Sequence, residues 1–180
     1  MSEHVIALDP GGRTGWASAR MDVDRLELTG TGVLRQDLMA RTLAEWQAIE
    51  VRGTRNPMPN LEEYYQLVVV PQPTFNVVVA ESWRPRRDER GKMDWIEGDP
   101  LLSAQHLGQI RFIADLSGAT YREYSPMQKP AFTASMPKVL LDLDADSNEQ
   151  HDKDARMHLW GYFFENWFTA TVDPESVVVL

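Results

Sequence analysis

Four residues in separate parts of the chain have side chains suited to holding a metal ion beside a phosphate. Asp9 and Glu81 each follow an apolar stretch, and His151 and Asp154 are three residues apart further along the chain. Carboxylate oxygens are the preferred ligands of Mg2+ and Mn2+, and an imidazole nitrogen mildly favours tolerance of Mn2+. The residue types therefore indicate divalent-metal chemistry.

Asp9 ends an apolar run and is followed by the turn Pro10-Gly11-Gly12. A carboxylate at a strand end is held rigidly, and glycine lets a phosphate and its metal come close to the backbone. Two other interpretations stay open for this position. It could be an ordinary turn built from Asp and Gly, or the phosphate-binding turn of actin-like and sugar-kinase ATPases, whose backbone amides bind a nucleotide.

Glu81 comes directly after the apolar residues 77–80, which predict a buried central strand. Ligands bind open α/β sheets at the carboxyl ends of the strands, so Glu81 would lie where a site is expected. A charged residue can also simply mark the end of a strand. The pairing with Asp9 favours a function, because the first and fourth strands lie side by side in several nuclease folds with this strand order.

His151, Asp152 and Asp154 open a predicted helix. His151 and Asp154 share one face of that helix, whereas Asp152 is turned about 100° away. Acidic residues in a first turn also stabilise the helix dipole, and that structural role suits Asp152. His151 and Asp154 are therefore the better pair of ligands.

The elements that must position these residues follow an α/β pattern. Three strands open the chain as an antiparallel meander, and two more strands follow among helices. The predicted strands are 4–9, 15–21, 25–34, 75–80 and 120–124, and the predicted helices are 38–51, 61–69, 100–117 and 151–168. Residues 126–148 are predicted to form a loop with a short helix. The prediction is one domain, residues 1–180, with a mixed five-stranded sheet flanked by helices.

Composition narrows the class of protein. The chain has 180 residues and no cysteine, which excludes a disulfide scaffold, thiolate metal sites and thiol nucleophiles. The first residues lack the pattern of a signal peptide, and the apolar runs fall far short of the roughly 20 residues that span a bilayer. We therefore expect a cytoplasmic protein. The C-terminal residues 177–180 could form an edge strand, a dimer contact or a frayed tail.

The net charge of −9 argues against a nucleic-acid partner, since phosphate binding usually shows as a basic surplus. The charge is segregated, however. Basic residues concentrate in 84–92, and acidic residues concentrate in 142–154. Bound divalent cations would offset clustered carboxylates, so the acidity does not by itself exclude DNA.

Taken together, four segments resemble the RuvC-type Holliday junction resolvases of the RNase H-like superfamily. The first has an acid, Pro-Gly, a spacer, Thr-Gly and an aromatic residue; the second is a strand ending in glutamate. The third leads to a basic residue, and the fourth has His three residues before Asp-Ala. These segments are 6–16, 79–81, 124–129 and 151–155, in the family's order.

The resemblance implies two Mg2+ or Mn2+ ions bridged by Asp9, with Glu81, His151 and Asp154 completing their shells. One ion would lower the pKa of a water to make the nucleophile, and the other would neutralise charge on the leaving 3′ oxygen. Lys129 would stabilise the transition state, unless it is a solvated surface lysine. Two symmetric incisions imply a homodimer acting on branched DNA.

A basic insertion follows Glu81 where the family has a shorter segment, which leaves the shape of the DNA substrate open. We predict that this insertion follows phosphates and that Trp83 or Trp95 stacks on an exposed base; the alternative is a disordered basic loop. The residues predicted to contact DNA are Trp83, Arg84, Arg86, Arg87 and Lys92. The small size, the acidity and the insertion would suit a phage-encoded enzyme.

Two other functions compete with this one. A catalytically inactive RNase H-like module that only binds DNA would be expected to lose its acids, and this chain has them. An actin-like ATP-binding domain explains only the turn after Asp9 and normally needs two such domains. The sequence therefore predicts a divalent-metal-dependent, structure-selective DNA endonuclease.

Overall fold

The computed structural model describes residues 2–23, 25–35, 39–47, 49–53, 65–69, 74–82, 99–143, 150–167 and 177–179. The strands are β1 (Glu3–Asp9), β2 (Arg13–Asp22), β3 (Arg25–Arg35), β4 (Ile49–Gly53), β5 (Tyr65–Val69), β6 (Val77–Glu81), β7 (Thr120–Tyr124) and β8 (Val177–Val179). The helices are α1 (Met39–Trp46), α2 (Asp99–Ser117), α3 (Lys129–Ser135), α4 (Lys138–Leu141) and α5 (Gln150–Asn166). None of the described helices is long and apolar enough to cross a membrane.

The main sheet has six strands in the order β7-β6-β1-β2-β3-β8. β1, β2 and β3 form an antiparallel meander, whereas β6 is parallel to β1 and β7 is parallel to β6. This confirms the predicted α/β fold with its three antiparallel strands first. The predicted count of five strands was one too low, because β8 pairs in parallel with β3 and adds an edge strand.

The two faces of the sheet bury separate apolar cores. Alternation along β1 points Val5 and Ala7 to the core that contains α5, and points Ile6 and Leu8 to the core that contains α1 and α2. All four side chains are fully buried. Because the alternation continues along β1, the side chain of Asp9 lies on the α5 face of the sheet.

α5 is buried on nearly all sides, since every residue from Asp154 to Phe163 is buried. Position 161 explains how α3 packs on it: a Cβ atom there would lie 2.5 Å from the ring of Phe132. Glycine therefore lets the α3 aromatic ring rest directly on the backbone of α5. This contact fixes α3 beside α5, and with it Lys129, the first residue of α3.

In the middle of the chain, the predicted helix 38–51 was too long and the predicted helix 61–69 was wrong. α1 ends at Trp46, and β4 pairs antiparallel with β5 in a separate two-stranded sheet, in a region predicted to be helical. Residues 65–69 read Tyr-Gln-Leu-Val-Val, and aromatic and β-branched residues suit a paired strand better than a helix. Residues 126–148 were predicted to contain one short helix, and their described part contains both α3 and α4.

Candidate metal centre

Asp9 and Glu81 lie at the same end of the sheet, as the last residues of β1 and β6. β1 and β6 are parallel neighbours, and Leu8 lies opposite Ala80 in their register. Each acid is the next residue along its strand, so both stand at the carboxyl ends of adjacent central strands. The two carboxylates therefore lie side by side at the strand ends, as the sequence predicted.

The first turn of α5 brings His151 to Asp9. Nδ1 of His151 lies 2.6 Å from Oδ2 of Asp9, and the carboxylate accepts the hydrogen bond. Nδ1 is the ring nitrogen that faces the carboxylate, so an ion held by both residues would take the place of this hydrogen bond. The His151 side chain is 43% exposed, whereas that of Asp9 is 8% exposed. His151 therefore lies at the outer side of a nearly buried carboxylate.

The turn that follows Asp9 is held from two elements. A Cβ atom at Gly11 would lie 3.3 Å from Cε1 of His151, so the turn packs closely on α5. From α2, His106 makes a hydrogen bond to the backbone of Gly11. Burial lowers the pKa of His106, against the opposing effect of that hydrogen bond, and so favours the neutral ring. His106 could not be identified from the sequence, because it is isolated on a helix that otherwise has a structural pattern.

Lys129 joins two of the acids. Its Nζ lies 2.5 Å from Oε2 of Glu81 and 2.5 Å from Oδ2 of Asp154. Oδ1 of Asp154 accepts a further hydrogen bond of 2.7 Å from Gln150. Burial lowers the pKa of Lys129, but the hydrogen bonds to Asp154 and Glu81 outweigh this effect and raise it. Lys129 is therefore a charged, partly buried group within the acidic cluster, and not a solvated surface lysine.

His158 is a further member of the cluster that the sequence analysis missed. It is fully buried, and its Nε2 lies 2.7 Å from Oε2 of Glu81. Atoms of Asp9, Glu81 and His158 that can bind a metal all lie within 4.8 Å of one another. One signal was available: His158 comes four residues after Asp154, which puts both on one face of α5. Its apolar neighbours in sequence made it look like a core residue.

The pKa values of Asp9 and Glu81 shift in opposite directions. Burial raises the pKa of Asp9, and the charges of Glu81 and Asp154 add to the rise, against the hydrogen bond from His151. Burial also raises the pKa of Glu81, but hydrogen bonds from His158 and Lys129 outweigh it and lower the pKa to about 2. The negative charge of Asp9 is thus the less well compensated of the two.

The donor set fits a divalent cation. Three carboxylates and an imidazole converge at one sheet edge, and the Lys129 ammonium already lies as a positive charge between two of the acids. A cation near Asp9 would offset the negative charge that is buried there. The residues present are therefore chemically suited to Mg2+ or Mn2+.

Asp152 has a different environment. It is buried and forms an ion pair of 3.2 Å with Arg156, one helical turn further along α5. Nη1 of Arg156 also donates to the carbonyl oxygens of Leu140 and Leu143, at 2.8 and 3.0 Å. Asp152 thus helps to join α5 to the chain at the end of α4, which is a structural role.

The residues predicted to contact DNA lie outside the described part of the chain. This applies to Trp83, Arg84, Arg86, Arg87 and Lys92, and to Trp95. Their role stays a prediction from sequence.

Comparison with known proteins identifies the fold. No protein-family model matches the sequence, and no curated protein matches it. Among solved structures, the chain is similar to T. thermophilus RuvC in complex with Holliday junction substrate, with a TM-score of 0.56 and 16% identity over 91% of this chain and 94% of that one. It is also similar to the Thermus thermophilus RuvC structure, with a TM-score of 0.54 and 16% identity over 92% and 95%. The chain therefore has a RuvC-like, RNase H-like fold.

Proposed function

We propose that this chain is a divalent-metal-dependent, structure-selective DNA endonuclease of the Holliday junction resolvase type. The observation that carries the proposal is the meeting of four side chains at one edge of an RNase H-like sheet. They are Asp9, Glu81, His151 and Asp154, and they come from β1, β6 and the N-terminal part of α5. Three acids from separate parts of the chain repel one another when they lie close together, so stability alone does not explain their proximity.

The protein's own groups would divide the work of phosphodiester hydrolysis. Asp9, Glu81, His151 and Asp154 would hold two Mg2+ or Mn2+ ions, and the bound metal would supply a water of lowered pKa and positive charge at the leaving 3′ oxygen. Before an ion binds, His151 holds Asp9 in place through its 2.6 Å hydrogen bond. Lys129 brings a partly buried positive charge that can stabilise the charge developing on the phosphate.

Branched DNA is the proposed substrate, and a homodimer is the proposed active form. One of the similar solved structures is a RuvC bound to a Holliday junction substrate, and the shared fold extends over nearly all of both chains. Two symmetric incisions are most simply made by two copies related by a twofold axis. The basic segment that follows Glu81 would contact phosphates, although the chain as a whole is acidic.

A second candidate is an RNase H-like module that binds DNA without cutting it. The observation in its favour is the position of Lys129, whose ammonium compensates Glu81 and Asp154 without any metal. In that case the acids would form a structural ion-pair network. Metal binding and cleavage distinguish the two candidates.

The test is cleavage of labelled four-way junction, flap and plain duplex DNA with Mg2+ or Mn2+. The wild-type protein runs beside Asp9→Asn and beside Asp115→Asn, which makes the same change at an exposed position of α2. Paired nicks on the junction, lost only in Asp9→Asn, would support a resolvase. Cutting of flaps or duplex would support nuclease activity but with a different DNA substrate. Binding of the junction without cleavage by the wild type would support the module.

The basic segment has its own test. Replacing Arg84, Arg86 and Arg87 with Ala removes three positive charges, so we expect weaker DNA binding and a shallower dependence of log K on log salt. Fluorescence anisotropy at several salt concentrations measures both. Affinity and slope equal to those of the wild type would remove this segment from the proposed DNA-contacting surface.

A further inference from the structure

We propose that His158 is a positioning residue of the metal centre: its Nε2–H donates to Glu81 and holds that carboxylate for the ion, which His158 itself does not bind. The proposal rests on the metal-dependent function argued above and assigns a role within that site. The two histidines of the cluster would then have different roles: His151 binds the ion, and His158 donates a hydrogen bond to a residue that binds it.

The ring of His158 is held in one orientation by its surroundings. It is fully buried and lies parallel to the ring of Tyr124, with centroids 6.3 Å apart and an angle of 2° between the planes. The ring of Phe132 meets it edge-on at 6.5 Å and 85°. A buried imidazole packed against two aromatic rings cannot easily rotate. The 2.7 Å contact between Nε2 and Oε2 of Glu81 is therefore a fixed feature of the site.

The two ring nitrogens of His158 have unequal surroundings. Nε2 faces a carboxylate oxygen, which can only accept when it is ionised. Nδ1 is buried and has no hydrogen-bond partner within the described residues. The hydrogen consequently belongs on Nε2, where it has an acceptor, and the lone pair belongs on Nδ1.

With its hydrogen on Nε2, His158 has no lone pair on that nitrogen with which to bind a metal ion. To bind an ion through Nε2, the ring would have to carry its hydrogen on Nδ1, and a buried N–H without an acceptor is unfavourable. His151 differs in exposure: its side chain is 43% exposed, so water can accept its ring hydrogen when the nitrogen that faces Asp9 binds an ion. The short distances among Asp9, Glu81 and His158 alone would allow either role, and the surroundings of Nδ1 decide between them.

Lys129 cannot replace His158 in this role. Both donors reach the same oxygen of Glu81, at 2.5 and 2.7 Å. The ammonium of Lys129 is carried on a flexible four-carbon stem and also bonds Asp154, so it can move when a cation or phosphate arrives. The packed ring of His158 keeps its hydrogen bond through such a change, and Glu81 keeps its orientation.

The first test compares two variants by calorimetric titration of the DNA-free protein with MnCl2 and with MgCl2. His158→Phe keeps an aromatic ring between Tyr124 and Phe132 but removes the donor, whereas His158→Gln keeps an N–H near the position of Nε2. Loss of a partner that orients a metal ligand typically weakens metal binding about 10- to 100-fold, so we expect a loss of about tenfold in His158→Phe. We expect His158→Gln to bind both ions nearly as well as the wild type.

Two outcomes of the titration would overturn the proposal. Wild-type affinity in His158→Phe would show that the hydrogen bond does not matter for the ion. Equal losses in both variants, larger for Mn2+ than for Mg2+, would indicate that the imidazole nitrogen is itself a ligand. Far-UV circular dichroism and thermal melting of each metal-free variant show whether it is folded.

The second test needs no metal, and its result is read from the wild type. Long-range 1H–15N NMR of the histidine-labelled, metal-free wild type reports which ring nitrogens carry hydrogen, and His158→Gln assigns the signal. We expect hydrogen on Nε2 of His158; a bare Nε2 would overturn the proposal. If the wild type binds neither ion, the proposed function fails, while this spectrum still decides whether His158 donates to Glu81.

Discussion

Gly15 lies opposite Asp9 in the pairing of β1 with β2, and the first turn of α5 rests directly on Gly15. A Cβ atom at this position would lie 1.9 Å from the carbonyl oxygen of His151 and 2.7 Å from the backbone nitrogen of Asp152. Both atoms belong to backbone, which cannot move aside as a side chain could. The absence of a side chain at Gly15 therefore sets the distance between His151 and Asp9.

The first prediction concerns Gly15→Ala. The added methyl group would push α5 away from β2, so we expect destabilisation of about 1–3 kcal/mol from overpacking, together with a large loss of cleavage and of metal affinity. Chemical denaturation and calorimetric titration measure these effects. Gly108→Ala in α2 is the matched control, because nothing lies within 4 Å of a Cβ atom there. Equal behaviour of the two variants would contradict the role given to Gly15.

The second prediction concerns Lys129→Met. Without the ammonium, Glu81 and Asp154 lose a shared positive partner, and the pKa of Glu81 should rise from about 2. The metal-free protein should become less stable, and added Mg2+ should then raise its melting temperature more than it raises that of the wild type. Thermal melting with and without Mg2+ gives both quantities.

Lys138→Met serves as the control for that change, since Lys138 is exposed at the start of α4. Its response to Mg2+ should match the wild type. An equal response in Lys129→Met would mean that the ammonium and the cation do not compensate the same carboxylates. Cleavage by Lys129→Met should also fall, because a positive charge near the phosphate is lost.

The third prediction is that Asp9→Asn stabilises the metal-free protein at neutral pH. Burial raises the pKa of Asp9 in the folded state, so the folded state favours the protonated carboxyl. The ionised group therefore costs stability above its folded pKa, and this cost disappears as the pH falls below its unfolded value of 3.8. An amide carries no charge at any pH and avoids the cost.

Thermal melting of both proteins without metal checks this sign. The variant should melt at a higher temperature at pH 7, and the difference should shrink towards pH 3. Added Mg2+ should stabilise the wild type and have little effect on Asp9→Asn. A variant that melts lower than the wild type at pH 7 would show that the hydrogen bond between Asp9 and His151 outweighs the burial of charge.

The candidate ligands were easier to predict from the sequence than the residues that hold them in place. Asp9 and Glu81 follow from the rule that ligands meet the carboxyl ends of central strands, and the α5 pair follows from helical spacing. His158 was missed because a histidine among apolar helix residues is usually part of the core. The requirement for glycine at position 15 depends on where α5 packs, and only the three-dimensional contact shows it.

The middle of the chain was predicted less well for a related reason. Helical spacing in residues 38–51 was real up to Trp46, where α1 ends, but it could not show that the following residues pair with β5. Strand pairing joins residues distant in sequence, and local periodicity carries no information about such a partner. The same holds for β8, which is only three residues long and is a strand because β3 offers it an edge.

The last prediction concerns the buried pair of Asp152 and Arg156. Their side chains are 1% and 3% exposed, and Arg156 also donates to two carbonyl oxygens at and beyond the end of α4. Arg156→Met would leave the Asp152 charge buried without this partner, so we expect a loss of about 3–5 kcal/mol. Adding Asp152→Asn should recover part of that loss, because the uncompensated charge is then removed.

Urea denaturation of the single and double variants measures the coupling between the two residues. Arg41→Met is the matched control, since Arg41 and Glu45 form an ion pair at the same helical spacing with both side chains exposed. That change should cost no more than about 0.5 kcal/mol, as is typical of exposed helix pairs. A similarly small loss in Arg156→Met would mean that water reaches Asp152 and compensates its charge. In that case the ion pair would not be what joins α5 to the end of α4.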